Sequence, residues 1–251
     1  MKLDKIKKYV INLKRRPENL QKVNREFQKL NWEVERFEAI DTNSYQGCLL
    51  SHISLIKKAK KLGLKEILVC EDDIIFLPWS KSYLKDLDKV LTKIDYDIIN
   101  LNPSLHAEYE YSSESNLLLD IKKPKVYKDF MYRGIYSTGM ILYTENVYDS
   151  ILEIDENCIH PLDPYVNARS IDQHLSSIVY PKFKSYTTTY PLCFQRNKWS
   201  DINKTEDRAF YLQSYNWNLY TPVKADHMYS DQSYVENINE DLNYKDIYIE
   251  K

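Results

Sequence analysis

Glycine is nearly missing, with 4 residues in a chain of 251. A glycine-rich loop that cradles phosphate with bare backbone is therefore largely excluded. Cysteine is as sparse, with 4 residues. Cys48, Cys70, Cys158 and Cys193 form no CxxC pair, which disfavours a zinc site, and a chain of this size does not depend on disulfides. Neither sign of charge dominates: 35 Lys and Arg face 37 Asp and Glu, a formal net charge of −2. A dedicated nucleic-acid binder needs a basic excess or a basic face, so no nucleic-acid partner is expected. No apolar run approaches the ~20 residues of a membrane span. The apolar part of "MKLDKIKKYVINL" is too short and too soon interrupted for a signal peptide. A soluble, cytoplasmic protein is the expectation.

Hydrophobic residues make up 43% and charged residues 29%, ordinary values for a globular chain long enough to bury a proper core. Tyrosine is in excess, at 22 residues. Ring stacking on sugars and a biased genome both account for that, and composition alone favours the bias.

Strand and helix patterns alternate through the first hundred residues. "YVINL" reads as a buried strand. In the segment after it, Leu20, Val23, Phe27 and Leu30 recur at helical spacing, with Pro17 suited to a first turn. "WEVERFEAI" alternates as a second strand. Leu49, Ile53, Ile56 and Ala59 share a helical face that ends at Gly63. "EILVC" is a third strand, Leu84 to Ile94 a further helix, and "YDIINL" a fourth strand. This order implies an α/β fold with a largely parallel sheet covered by helices on both faces. Residues 102–132 read as a long connection or an edge hairpin. "STGMILYT" resumes as a strand, with Thr144 placed to cap the helix "ENVYDSIL" and Ser170 to cap "SIDQHLSSIVY". One domain over residues 1–202, with a C-terminal extension over 203–251 packed on it, is the expected organisation.

The chemistry concentrates in "EILVCEDDIIF". Three carboxylates, Glu71, Asp72 and Asp73, interrupt an apolar run at the carboxyl end of a strand, the end where ligands of open α/β sheets bind. Clustered carboxylates are hard oxygen donors suited to Mg²⁺ or Mn²⁺. An exposed acidic turn is the bland alternative. Because strand side chains alternate, Glu71 and Asp73 are expected on one face and Asp72 on the other.

"YVINLKRRPENL", "RFEAID", "GCLLSHISLIKKAKKLGLKEILVCEDDIIF", "STGMILYT" and "CFQRNKWSDI" follow one another as in glycosyltransferase family 25, which this chain resembles over most of residues 9–202. That family includes bacterial lipooligosaccharide galactosyl- and glucosyltransferases and procollagen galactosyltransferases. The resemblance implies a GT-A (Rossmann-like) fold and an inverting transfer of galactose or glucose from a UDP-sugar to a hydroxyl on a glycan or protein. It also implies a divalent metal, Mn²⁺ or Mg²⁺, held by Glu71 and Asp73, with His227 as a third ligand or an ordinary surface histidine.

Residue by residue, the resemblance places Asn12, Leu13 and Arg16 at the nucleotide, with Arg15 either beside them or as a solvated helix start. Asp41 falls where a nucleoside hydroxyl is accepted. Ser51 and His52 match the family's SH pair, and Asp72, Gln195, Ser200 and Asp201 complete the donor-binding set. The chain departs from the family at Asn19, where a further basic residue is common. For the general base, the local wording favours Asp163 and the spacing to Gln195 favours Asp172; the reading here leans to Asp172, in a first helical turn. The mildly acidic C-terminus weakens a lipid-linked acceptor while leaving peripheral membrane association open. The rival readings are another metal-dependent nucleotide-sugar or phosphoryl enzyme on a similar scaffold, and an inactive sugar-binding homologue.

Overall fold

Tyr9, Val10 and Ile11 stand in an unbroken apolar row, as a strand covered on both faces requires. In the computed structural model they lie in strand β1 (Lys7–Asn12), after the short helix α1 (Lys2–Lys5). The residues described are 2–42, 45–105, 107–121, 126–127, 135–154, 170–200, 205–207, 232–237 and 242–246.

Pro17 opens helix α2 (Pro17–Lys29), which buries Val23 and Phe27 and leads to β2 (Glu35–Glu38). Helix α3 (Tyr45–Lys61) buries all four residues of its expected face. Just beyond it, Gly63 adopts φ +65°, the left-handed conformation glycine reaches without strain. Strand β3 (Glu66–Glu71), β4 (Ile74–Phe76), helix α4 (Ser80–Leu91) and β5 (Ile98–Asn100) follow.

The polar stretch after β5 holds six short strands. They are β6 (Ser104–Leu105), β7 (Ala107–Glu108), β8 (Glu110–Tyr111), β9 (Leu118–Asp120), β10 (Val126–Tyr127) and β11 (Ile135–Tyr136). Strand β12 (Met140–Thr144), helix α5 (Glu145–Leu152) and helix α6 (Ile171–His174) come next, α6 continuing as a π-turn over Leu175–Val179. Strands β13 (Ser185–Thr188) and β14 (Cys193–Gln195) lead to the ribbon of β15 (Lys198–Ser200) and β16 (Thr205–Asp207).

Eight strands form the central sheet, in the order β2-β1-β3-β12-β5-β13-β9-β8. The architecture is α/β and Rossmann-like. The pairs β1–β2, β1–β3 and β5–β13 are parallel. Strand β12 runs antiparallel between β3 and β5, and the β8–β9 hairpin adds antiparallel strands at the far edge. The sheet is therefore more mixed than expected, because strand order depends on contacts between segments distant in sequence.

Helices cover both faces. Lys8 Nζ lies over the Trp32 ring just after α2, at 5.0 Å from its centroid, while Lys58 of α3 lies 4.7 Å from the centroid of Tyr9. Lys8 and Tyr9 are neighbours on one strand, so α2 and α3 occupy opposite faces.

Two expected caps are built differently. Thr144 has extended geometry before α5 but makes no side-chain cap; its hydroxyl donates to the carbonyl of Asp97 at 2.9 Å. Ser170 precedes α6 without a cap bond, its hydroxyl turned to the Asp172 carboxylate.

Described parts of residues 203–251 touch the sheet domain. Arg196 pairs with Glu236 of the helix Gln232–Asn237, and the Tyr244 hydroxyl donates to Asp86 of α4 at 3.0 Å.

Candidate active site

The acidic run stands where β3 ends, and the two sheet faces divide it. Glu71 pairs in register with Ile11 and faces α3. Its Oε1 accepts from the Thr138 hydroxyl at 2.5 Å, and the Cys48 thiol of α3 lies 3.8 Å away. Its Oε2 accepts from Gln195 Nε2 at 3.1 Å. Asp72 turns to the α2 face, where Asn12 Nδ2 donates to it at 2.7 Å and Asn19 Nδ2 at 3.3 Å. Hydrogen bonds to a charged group contribute about 1.5–3 kcal/mol each, so Asp72 organises this corner through neutral amides. Asn19 supplies one of them.

Strand alternation stops at Glu71, so it does not place Asp73, which sits in the turn into β4. Asp73 is buried, and its carbonyl accepts from Arg196 N–H at 2.8 Å. Arg196 is itself buried in an ion pair with Glu26 of α2, at 3.0 Å. Burial holds the Arg196 pKa below its usual value, against the opposing charges of Glu26 and Asp73. Glu26 also accepts from Phe76 N–H at 3.0 Å, tying α2 to β4.

Asn12 uses its whole side chain structurally. Besides Asp72 it donates to the Arg16 carbonyl at 2.9 Å and accepts from Arg36 Nε at 2.9 Å. Arg16 is thereby fixed at the start of α2, and half-buried Leu13 accepts its N–H at 2.9 Å. Arg15 and Asp41 meet on the surface at 3.0 Å, where such a pair contributes at most about 1 kcal/mol.

Ser51 and His52, expected at the donor, are fully buried. Ser51 Oγ donates to the Gly47 carbonyl at 2.6 Å and accepts from Ile40 N–H at 2.9 Å. His52 Nδ1 lies 3.1 Å from the Tyr143 hydroxyl, and burial lowers its pKa to about 4, so it is neutral. Ser51 thus ties α3 to the segment after β2, and His52 ties it to β12.

The signal that the motif reading missed is the turn Ser137–Thr138–Gly139, which joins the candidate residues. Ser137 has φ +72°, a left-handed conformation that costs a non-glycine residue about 1–3 kcal/mol. Its surroundings hold it there. Asn100 Nδ2 donates to its carbonyl at 2.9 Å, and its N–H points to Asp172 Oδ2 at 3.4 Å. Its hydroxyl lies 2.8 Å from Asn102 Oδ1 and 3.1 Å from Gln195 Oε1. Gly139 allows a close approach here, since a Cβ would stand 2.1 Å from Asn102 Oδ1 and force it to shift. The turn thus links Glu71, Gln195 and Asp172. Asp172 is half-buried and also accepts from Gln173 N–H at 2.9 Å.

Among the described residues, the one group of three metal-ligating side chains is Cys48, His52 and Glu71. A thiol ligates as thiolate, and burial, followed by the charge of Glu71, pushes the Cys48 pKa well up. A protonated thiol beside a buried imidazole does not suit a hard cation. Such cations take carboxylate oxygens instead. The side chain of Ser200, together with Asp163, Asp201 and His227, lies outside the described residues.

The model of glycosyltransferase family 25 (LPS biosynthesis protein) matches residues 42–144. A glycosyltransferase 25 family member of Drosophila pseudoobscura pseudoobscura is 30% identical over 121 residues, 36% of this chain and 19% of its own length. Another from Drosophila melanogaster is 30% identical over 157 residues, 44% of this chain and 25% of its own. The chain thus spans about a quarter or less of these relatives. A solved glycosyltransferase involved in glycosylation of the major capsid of PBCV-1 aligns with 72% of this chain and 80% of its own, at 11% identity and a TM-score of 0.42. No helix among the described residues is long and apolar enough to cross a membrane.

Proposed function

We propose that this chain, a member of glycosyltransferase family 25 by its residues 42–144, moves galactose or glucose from a UDP-sugar to an acceptor hydroxyl, with inversion. The observation that carries the reading is the joining of Glu71, Gln195 and Asp172 through one strained turn at the carboxyl edge of the sheet.

Glu71 and Asp73 would hold Mg²⁺ or Mn²⁺, which when bound supplies positive charge for the departing diphosphate. Thr138 and Gln195 hold the orientation of the Glu71 carboxylate. Asp172 takes the proton of the acceptor hydroxyl as that oxygen bonds to the anomeric carbon. The bond from that carbon to the diphosphate breaks, and UDP leaves with the electron pair. Attack opposite the leaving group inverts the centre. Arg16, fixed over the end of β1, flanks the same edge and pairs with phosphate oxygens.

The test is a donor panel. UDP-galactose, UDP-glucose and other nucleotide sugars are incubated with the protein, with and without Mn²⁺ or Mg²⁺, and free UDP is measured. Metal-dependent release from a UDP-hexose, lost in Asp73→Ala, is expected. Full metal-dependent turnover by Asp73→Ala would remove that residue from the site, and no turnover of any donor would overturn the reading.

A further inference from the structure

A second concavity opens at the same edge of the sheet, away from the acidic turn. The register places Glu71, Asn100, Thr188 and Leu118 at one edge, because β12 and β9 run opposite to their neighbours. From β3 the sheet passes through β12 and β5 to β13, about 14 Å at the usual strand spacing. There the β8–β9 turn, the end of β13 and α4 enclose a cavity of about 720 Å³.

Its wall is aromatic. Tyr190 and Tyr244 are buried with centroids 5.0 Å apart, and both contact Tyr83. Tyr111 stands at the rim with 49% of its surface exposed, and only Leu62 among the described large hydrophobics is comparably bare. Ser115 and Asn116 add hydroxyl and amide groups to the lining. The charges are nearly settled internally. Asp86 pairs with Lys89 at 2.7 Å and Lys245 at 3.0 Å and accepts from the Tyr244 hydroxyl. Those partners hold its pKa far below the usual carboxylate range. Two cations against one carboxylate leave a single positive charge, which disfavours a basic peptide.

We infer that this cavity is a subsite for an oligosaccharide, the remote part of the acceptor whose reacting hydroxyl reaches Asp172. Sugars present apolar C–H faces and a ring of hydroxyls. An exposed tyrosine face flanked by hydroxyl, amide and ammonium groups matches both. The role as acceptor subsite rests on the proposed transferase activity; the binding of a glycan does not.

Saturation-transfer NMR and titration of the full chain without donor test it, with cellotetraose and a β-linked galactotetraose as probes. At least one should bind, and Tyr111→Ala should weaken that binding about tenfold. Because Tyr111 is exposed, its truncation leaves the core intact; Asn116→Ala provides an independent second variant with weaker binding. Absence of binding by both probes, or equal affinity in wild type and both variants, would overturn the inference. Binding of an extended peptide while both sugars stay inert would overturn it too. If wild type binds a probe but hydrolyses no UDP-sugar, the transferase reading fails and the glycan site stands.

Discussion

Gln195 Nε2 lies 3.1 Å from Glu71 Oε2, across 124 residues of sequence. The bond makes the carboxylate's orientation depend on a strand that arrives late in the chain. Gln195→Ala should weaken metal binding and metal-dependent donor hydrolysis about 10–100-fold, as loss of a ligand's supporting partner does. A metal titration of hydrolysis checks this, with the midpoint moving to higher metal concentration.

Asp172→Asn keeps the shape of the side chain and removes its basicity. Transfer to acceptor should fall by about 10²–10⁴-fold, while donor affinity by calorimetry stays within about twofold. If transfer survives, the base lies elsewhere, and Asp163→Asn is the next variant to assay.

Gly139→Ala drives a methyl group into Asn102 and toward Gln195. Asn102 cannot step aside freely, because its Nδ2 donates to the Cys193 carbonyl at 2.7 Å. Overpacking of this kind costs about 1–3 kcal/mol. Urea unfolding should show that loss, and donor hydrolysis should fall with it.

His52 gives stability a pH signature. Its folded pKa is about 4 against an ordinary 6.5, so the unfolded chain binds the proton more readily between those values. Stability from this group is complete above about pH 6.5 and is lost as pH falls, by about 2 kcal/mol from pH 7 to pH 5. His52→Gln, measured by denaturant unfolding across that range, should show a shallower acid decline than wild type.

Arg196→Ala should destabilise, but by less than the about 3–5 kcal/mol of a buried charge left wholly unpaired, since Glu26 keeps Lys29 at 3.1 Å and the Phe76 N–H. Adding Glu26→Gln to it should recover part of the loss. A double-mutant cycle on unfolding midpoints measures the coupling.

The parts legible in the sequence are those set by neighbours along the chain. The apolar row of β1, the helical stripe of α3 and the stop at Gly63 need only local periodicity. The same alternation separates Asp72 from Glu71, and the two do occupy opposite faces. Its reach ends there, because β3 stops at Glu71 and both Asp72 and Asp73 lie in the turn into β4. The place of β12 between β3 and β5 was not legible, since pairing partners are chosen across the whole chain. Nor was the hub at Ser137, because nothing in a serine announces a positive φ. The pattern of "STGMILYT" is that of a strand, whereas its first three residues form the turn that joins Glu71, Gln195 and Asp172. The partners of Ser51 and His52 likewise come from outside their own turn of helix, Ile40 N–H for one and Tyr143 of β12 for the other.

Strands β5 and β12 lie side by side, Asn100 opposite Ile141, so the chain that leaves β5 and returns at β12 has neighbouring ends, having placed the β8–β9 hairpin at the far edge of the same sheet. In polymer terms it is a loop closed by the sheet, and loop closure depends only weakly on length. Asn102 and the Ser137–Gly139 turn sit at its two ends and meet at 2.8 Å, so the closure of the loop is itself the junction to Glu71 and Asp172.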